Sequence, residues 1–246
     1  MRWGRRPEAS GGAAATLART AIQLTDVAHF YGDRPVLADV SVTLTERRIG
    51  VIGANGSGKS TFARLLNGLV LPSEGTVTVD GLDTRTQGRE VRRRVGFVFQ
   101  DPDAQIVHPT VEEDLGFGPH NQGVPAEEAA RRVEDVLVRY GLAGHRDHPA
   151  HLLSGGQKQL LAIAGVLVMQ PERIVFDEPT TLLDLANRRH VARVVEELEQ
   201  DVVVVTHDLD LLDGFDRVLV IDEGRVVADG SPDSSVAAYR GLMVHR

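Results

Sequence analysis

Eight consecutive residues, Gly53-Ala54-Asn55-Gly56-Ser57-Gly58-Lys59-Ser60, are followed by Thr61 and the start of a helical pattern. The spaced glycines free the backbone to turn where side chains would forbid it, so that successive N–H groups converge on one anion. An apolar run from Ile49 to Ile52 leads into this turn and a helix-like stretch from Lys59 to Leu69 leads out of it. Strand, glycine turn and helix in that order make a phosphate cradle of the spacing G-x-x-x-x-G-K-S. The helix adds its positive end. Lys59 is then placed to contact the β and γ phosphates of a nucleoside triphosphate, and the Ser60 hydroxyl to ligand Mg²⁺.

A second apolar run, Ile174-Val175-Phe176, ends in two acids, Asp177 and Glu178. Mg²⁺ held by Ser60 needs an anionic partner, and Asp177 suits that role through a coordinated water. Glu178, one residue on, reaches the γ-phosphate side, where it can orient a water and accept its proton.

The elements that must position these groups alternate in type. Ile22 to Val27 and Val40 to Leu44 alternate apolar and polar residues, as half-buried antiparallel strands do. Val95 to Phe99, Arg173 to Asp177 and Val202 to Thr206 are short apolar runs of the buried parallel kind. Helical periodicity covers Pro125 to Tyr140, Ser154 to Met169 and Leu185 to Glu199, with Gly141 closing the first of these. A late pair, Val218 to Asp222 and Arg225 to Asp229, joins through Glu223-Gly224 as an antiparallel hairpin. Strands alternating with helices imply an α/β fold with a mainly parallel sheet. The early strands form an antiparallel β subdomain, and a helical subdomain is inserted over about 101–170. The domain is expected over 20–240, after a disordered extension at 1–19.

Between cradle and carboxylates stands Leu153-Ser154-Gly155-Gly156-Gln157. Ser154 can cap the helix that begins there, while Gly155 and Gly156 leave its first N–H groups bare for an anion. In this order the motifs resemble those of ABC-type ATPases, over about Ala21 to Gly230. The resemblance implies a P-loop core and the substrate ATP with Mg²⁺. It also implies a head-to-tail dimer in which Ser154 to Gln157 of one subunit binds the γ-phosphate held by the other. Gln100 then resembles the Q-loop glutamine, in touch with Mg²⁺ and the attacking water. Asp184 resembles the D-loop aspartate, though Leu182 and Leu183 are bulkier than the usual residues before it. His207 resembles the switch histidine that senses the γ-phosphate, and Tyr31, ahead of Phe30, the aromatic that stacks on adenine.

Phe99 to Gln105, followed by Pro109 to Asp114, is similar to the corresponding region of energy-coupling-factor ATPases. The run Phe176 to Leu185 looks most like ATPases of biotin uptake, with cobalt and nickel types close. This implies a peripheral protein on the cytoplasmic face of the membrane. It would act as a homodimer, or as a heterodimer with a related ATPase, beside a membrane scaffold subunit and a substrate-binding membrane subunit. The cargo would be a vitamin or a transition-metal ion. Asp101, Asp103, Glu112, Glu113 and Asp114 suit an Arg-bearing scaffold helix; Thr110 with Glu113 reads equally as a helix cap. A soluble ABC ATPase without transport duty, such as one of iron–sulfur assembly, is the other reading.

The whole composition sets outer bounds. Its 246 residues carry a net charge of −8, which speaks against nucleic acid as a partner, and no Cys for disulfides, thiolate metals or thiol nucleophiles. The longest apolar run, Leu160 to Met169, is about half of the ~20 residues a membrane span needs.

Overall fold

The computed structural model describes residues 21–244; the expected extension at 1–19 lies outside them. Five parallel strands and one antiparallel edge form the main sheet. In spatial order these are β10 (Arg225–Gly230), β9 (Arg217–Asp222), β3 (Arg48–Ile52), β8 (Asp201–Val205), β7 (Arg173–Asp177) and β6 (Val95–Val98). A smaller antiparallel sheet orders β2 (Arg34–Leu44), β1 (Ile22–Tyr31), β4 (Glu74–Val79) and β5 (Leu82–Asp83).

Both faces of the five parallel strands are buried, which is why they read as apolar runs, whereas the antiparallel edge β10 alternates exposed and half-buried residues. Val203 and Val205 of β8 pack with the small sheet and with Phe62 and Leu65 of α1 (Lys59–Leu65), near which α2 (Gly88–Arg94) also lies. Val202 and Val204 point the other way, into a core shared with α3 (Val111–Gln122), α4 (Ala126–Arg139), α5 (Gly155–Leu167), α6 (Leu185–Glu197) and α7 (Pro232–Val244). Helices α3 to α5 lie between β6 and β7 in sequence.

The first hairpin runs well past the strands expected from alternation. Bulges between Leu24 and His29, with Asp26 and Asp39 at positive φ, break the period of two that marks a half-buried strand. Helix α3 is masked in the sequence by Gly116, Gly118 and Pro119, all poor helix formers. It forms because Val111 and Leu115 are fully buried and its start is closed reciprocally: Thr110 Oγ1 accepts from Glu113 N, and Glu113 accepts from Thr110 N.

The acids of this segment all have local partners. Asp101 accepts from Asp103 N, Asp103 pairs with Lys158, and Glu112 pairs with Arg146. Asp114 Oδ1 accepts from Val107 N and His108 N at 2.8 and 3.0 Å. The cap thus accounts for Glu113, and the loop N–H groups of Val107 and His108 for Asp114, without any partner protein. Thr110→Ala should lower stability by about 1 kcal/mol, read as a shifted urea midpoint at constant slope; an unmoved midpoint would mean that α3 needs no cap.

Candidate active site

Four chemical groups leave the main sheet at the C-terminal ends of four adjacent parallel strands. The glycine turn follows β3, His207 follows β8, Asp177 and Glu178 end β7, and Gln100 follows β6. Such an edge is where an open parallel sheet binds its ligand. There, Tyr31, Gly53, Ala54, Asn55, Gly56, Gly58, Lys59, Ser60, Thr61, Gln100, Glu178 and His207 line one cavity of about 690 Å³.

The turn is held by close backbone approach. A Cβ on Gly53 would fall 2.1 Å from the Ile221 carbonyl oxygen, so that position admits no side chain. Gly58, at φ 106°, turns the chain into α1 in a conformation that L side chains rarely adopt. Ser57 is buried beneath the loop and its N–H closes the turn on the Ala54 carbonyl at 3.1 Å. Lys59 is buried too, and its Nζ donates to the carbonyls of Gly53 and Ala54 at 2.9 and 3.0 Å. Burial lowers its pKa, while Glu178 and Asp177 act in the opposite direction.

Ser60 Oγ donates to Asp177 Oδ1 at 2.8 Å, and Arg64 approaches the other carboxylate oxygen at 3.7 Å. Burial raises the Asp177 pKa, against the Ser60 hydrogen bond and the Arg64 charge. Ser60, Asp177 and Gln100 supply hard oxygen donors only, and among the described residues no group of three or more His, Cys, Asp or Glu is placed to hold a metal ion. Such a sparse oxygen set fits Mg²⁺, which keeps waters and takes phosphate oxygens to complete its shell.

Glu178 stands in the left-handed region at φ 53°, strained for a non-glycine residue. The turn sends its side chain back toward His207. One oxygen, Oε2, accepts from His207 Nδ1 at 2.6 Å, from Thr181 Oγ1 at 3.2 Å and from His207 N at 3.3 Å. None of these bonds uses Oε1. The arrangement can therefore hold one carboxylate oxygen fixed and present the other to a water.

Ser154, Gly155, Gly156, Gln157 and Asp184 do not line this cavity. Ser154 is the N-cap of α5: its Oγ accepts from Gln157 N at 3.3 Å and Gln157 Oε1 accepts from Ser154 N at 2.9 Å. Ser154 and Gly155 are exposed. Asp184 caps α6, accepting from Asn187 N at 2.8 Å and Asn187 Nδ2 at 3.0 Å. A Cβ on Gly156 would lie 2.2 Å from Asn187 Oδ1, so the glycine lets α5 rest on that side chain. Phe30 does not line the cavity, whereas half-exposed Tyr31 does, edge-on to His29 at 4.7 Å.

The cavity also includes residues that the motifs do not mark: Arg34, Val36, Thr181, Tyr239 and Met243. Tyr239 and Met243 come from α7, which Ser235 Oγ ties to the Val218 carbonyl at 2.7 Å. Their only signal in the sequence is an apolar pair at i, i+4 near its end.

The family profile described as ABC transporter matches residues 37–181. A putative ABC transporter ATP-binding protein of Deinococcus radiodurans is 62% identical over 222 residues, covering 90% of this chain and 98% of its own. The biotin transport ATP-binding protein BioM of Rhizobium etli is 45% identical over 221 residues, 90% and 98% of the two chains. The energy-coupling factor transporter ATP-binding protein EcfA1 of Caldanaerobacter subterraneus is 46% identical over 205 residues, 80% and 74% of the two. The solved structure of CbiO1 from Clostridium perfringens, part of the ABC transporter complex CbiONQ, superposes with a TM-score of 0.78 at 34% identity, over 91% of this chain and 93% of that one.

Proposed function

Because this chain belongs to the ABC transporter family of ATP-binding proteins, we propose that it is the ATP-hydrolysing subunit of an energy-coupling-factor importer, with biotin the favoured cargo. The likeness to BioM and EcfA1 supports the transporter class, and CbiO1 supports membership of a multisubunit complex. No helix among the described residues is long and apolar enough to cross a membrane.

One observation carries the mechanism. The triphosphate cradle and the capped, exposed tip of α5 lie on one chain, yet the tip takes no part in that chain's own cavity. Two copies related by a two-fold axis bring each tip over the other's cradle, and one surface serves both sites. The loop N–H groups and Lys59 then bind the β and γ phosphates, Tyr31 stacks on the base, and Gly155 and Gly156 of the second copy meet the γ-phosphate. Ser60, Asp177 and Gln100 would hold Mg²⁺, which offsets charge on the phosphates when bound. Glu178 Oε1 accepts the proton of the attacking water while His207 and Thr181 fix Oε2. Loss of the γ-phosphate removes the anion that the α5 tip grips, and the two copies part.

A membrane partner fits the groove beside β6, lined by Arg92, Phe97, Val107, Asp114, Phe117 and Met169. Helices α3 and α5 form one wall of it, so rocking of the inserted helices reaches a docked element directly.

Uptake measurements test the assignment. Deleting the gene should abolish accumulation of labelled biotin and leave nickel and cobalt uptake intact. Loss of metal uptake instead would move the cargo to a transition-metal ion. Unchanged uptake of all three would remove biotin, nickel and cobalt as cargo, and unchanged uptake of other vitamins as well would point to an ABC ATPase with no transport role.

A further inference from the structure

We infer that His145 is a positioning residue for the ATP-gripping tip of α5, acting through the side chain of Gln157. This rests on the reading that a second copy's α5 tip closes each site.

His145 ends a short 3-10 turn, Ala143–His145, ten or so residues before the helix it serves. Its Nε2 lies 2.9 Å from Gln157 Nε2. The direction of that bond follows from the rest of the amide. Gln157 Oε1 is already committed, accepting from Ser154 N at 2.9 Å. Its Nε2 therefore faces the imidazole and donates, and His145 Nε2 accepts. The imidazole proton then sits on Nδ1, which is buried and has no hydrogen-bond partner among the described residues. Reversing the amide would bring Nε2 against the Ser154 N–H, donor to donor. Only one amide orientation satisfies both neighbours.

That orientation matters beyond the side chain. Gln157 Oε1 on Ser154 N, and Ser154 Oγ on Gln157 N, together close the first turn of α5. They use the N–H groups of Ser154 and Gln157 and engage neither that of exposed Gly155 nor that of Gly156, which is buried against Asn187. A rotated Gln157 would release Ser154 N and loosen the turn that aims those two donors. His148, whose ring meets His145 edge-on at 5.0 Å, and the Arg146 pair with Glu112 brace the loop that carries the imidazole. His145 touches no part of its own chain's cradle, so its loss should spare nucleotide capture and weaken only the grip across the pair.

The substitution His145→Phe keeps a ring and removes the acceptor; His145→Gln places an amide oxygen where Nε2 stood. Both go into a Glu178→Gln background, and assembly is followed by sedimentation against ATP concentration. Half-assembly for His145→Phe should need about fivefold more ATP, the effect of one hydrogen bond, with His145→Gln near the parent. In the hydrolysing chain, the half-saturating ATP concentration should rise by a similar factor while the maximal rate changes little. Binding of a fluorescent ATP analogue to the separate chain should be the same in all three. Should His145→Phe not fold, His145→Leu replaces it. Equal assembly of parent and apolar variant overturns the proposal, and so does equal weakening by Phe and Gln. If the Glu178→Gln parent itself does not assemble on ATP, the paired-copy reading fails and takes this proposal with it.

Discussion

Glu178→Gln should bind ATP as tightly as the parent chain, hold two copies together on it, and turn it over about 10²- to 10³-fold more slowly, the range general-base loss spans. The geometry makes this substitution unusually clean. All the fixed contacts of Glu178 fall on Oε2. A glutamine can keep its carbonyl oxygen there, accepting from His207 and Thr181, and turn its amide nitrogen to the cavity. The left-handed turn at the end of β7 is untouched, because the backbone bond from Glu178 N to the Val205 carbonyl remains. What disappears is the one oxygen able to take a proton. Single-turnover hydrolysis measured at saturating ATP decides the matter. A rate within a few-fold of the parent would assign the base elsewhere, whatever the assembly state.

Lys59→Ala should reduce ATP affinity about 10- to 100-fold, as expected for losing charge-assisted hydrogen bonds worth roughly 1.5–3 kcal/mol. Two effects add. The ammonium that would meet the β and γ phosphates is gone, and the carbonyls of Gly53 and Ala54 lose the donor that holds them. Arginine is a poor substitute, since the planar guanidinium is larger than the ammonium it replaces at a buried position. Equilibrium binding of a fluorescent ATP analogue reads the loss; an unchanged constant would mean that the phosphates do not reach this lysine.

The residues legible in the sequence are those whose neighbours in the chain are also their neighbours in space. Gly53 to Ser60 declares itself because strand, turn and helix are contiguous. Asp177 and Glu178 stand out because a fully buried strand ends on them. The Ser154 cap needed only the four residues from Ser154 to Gln157, and its capping geometry matches the reading. Contacts that close over long sequence distances left no such trace. Tyr239 and Met243 reach the cavity only because α7 folds back along β9, and a helix containing Ser234, Ser235 and Gly241 has little propensity of its own. The hairpin of β1 and β2 was legible only in its regular ends, since bulges interrupt the alternation between them. Helix α3 shows tertiary packing overriding three poor helix formers. His145 is the opposite case: its spacing from Gln157 carries no periodic signal, and only the folded loop brings the ring to the amide.

The contact of Gly156 with Asn187, and of Asn187 with Asp184, fixes how far apart two outward-facing features of one chain can stand. The starts of α5 and α6 are packed against each other through Asn187. In the proposed pairing, a mate that met both would have to match a separation set by its counterpart, not by its own adjustment. Association of that kind would become a test of spacing, and a chain with one of these starts displaced would be refused at both points together.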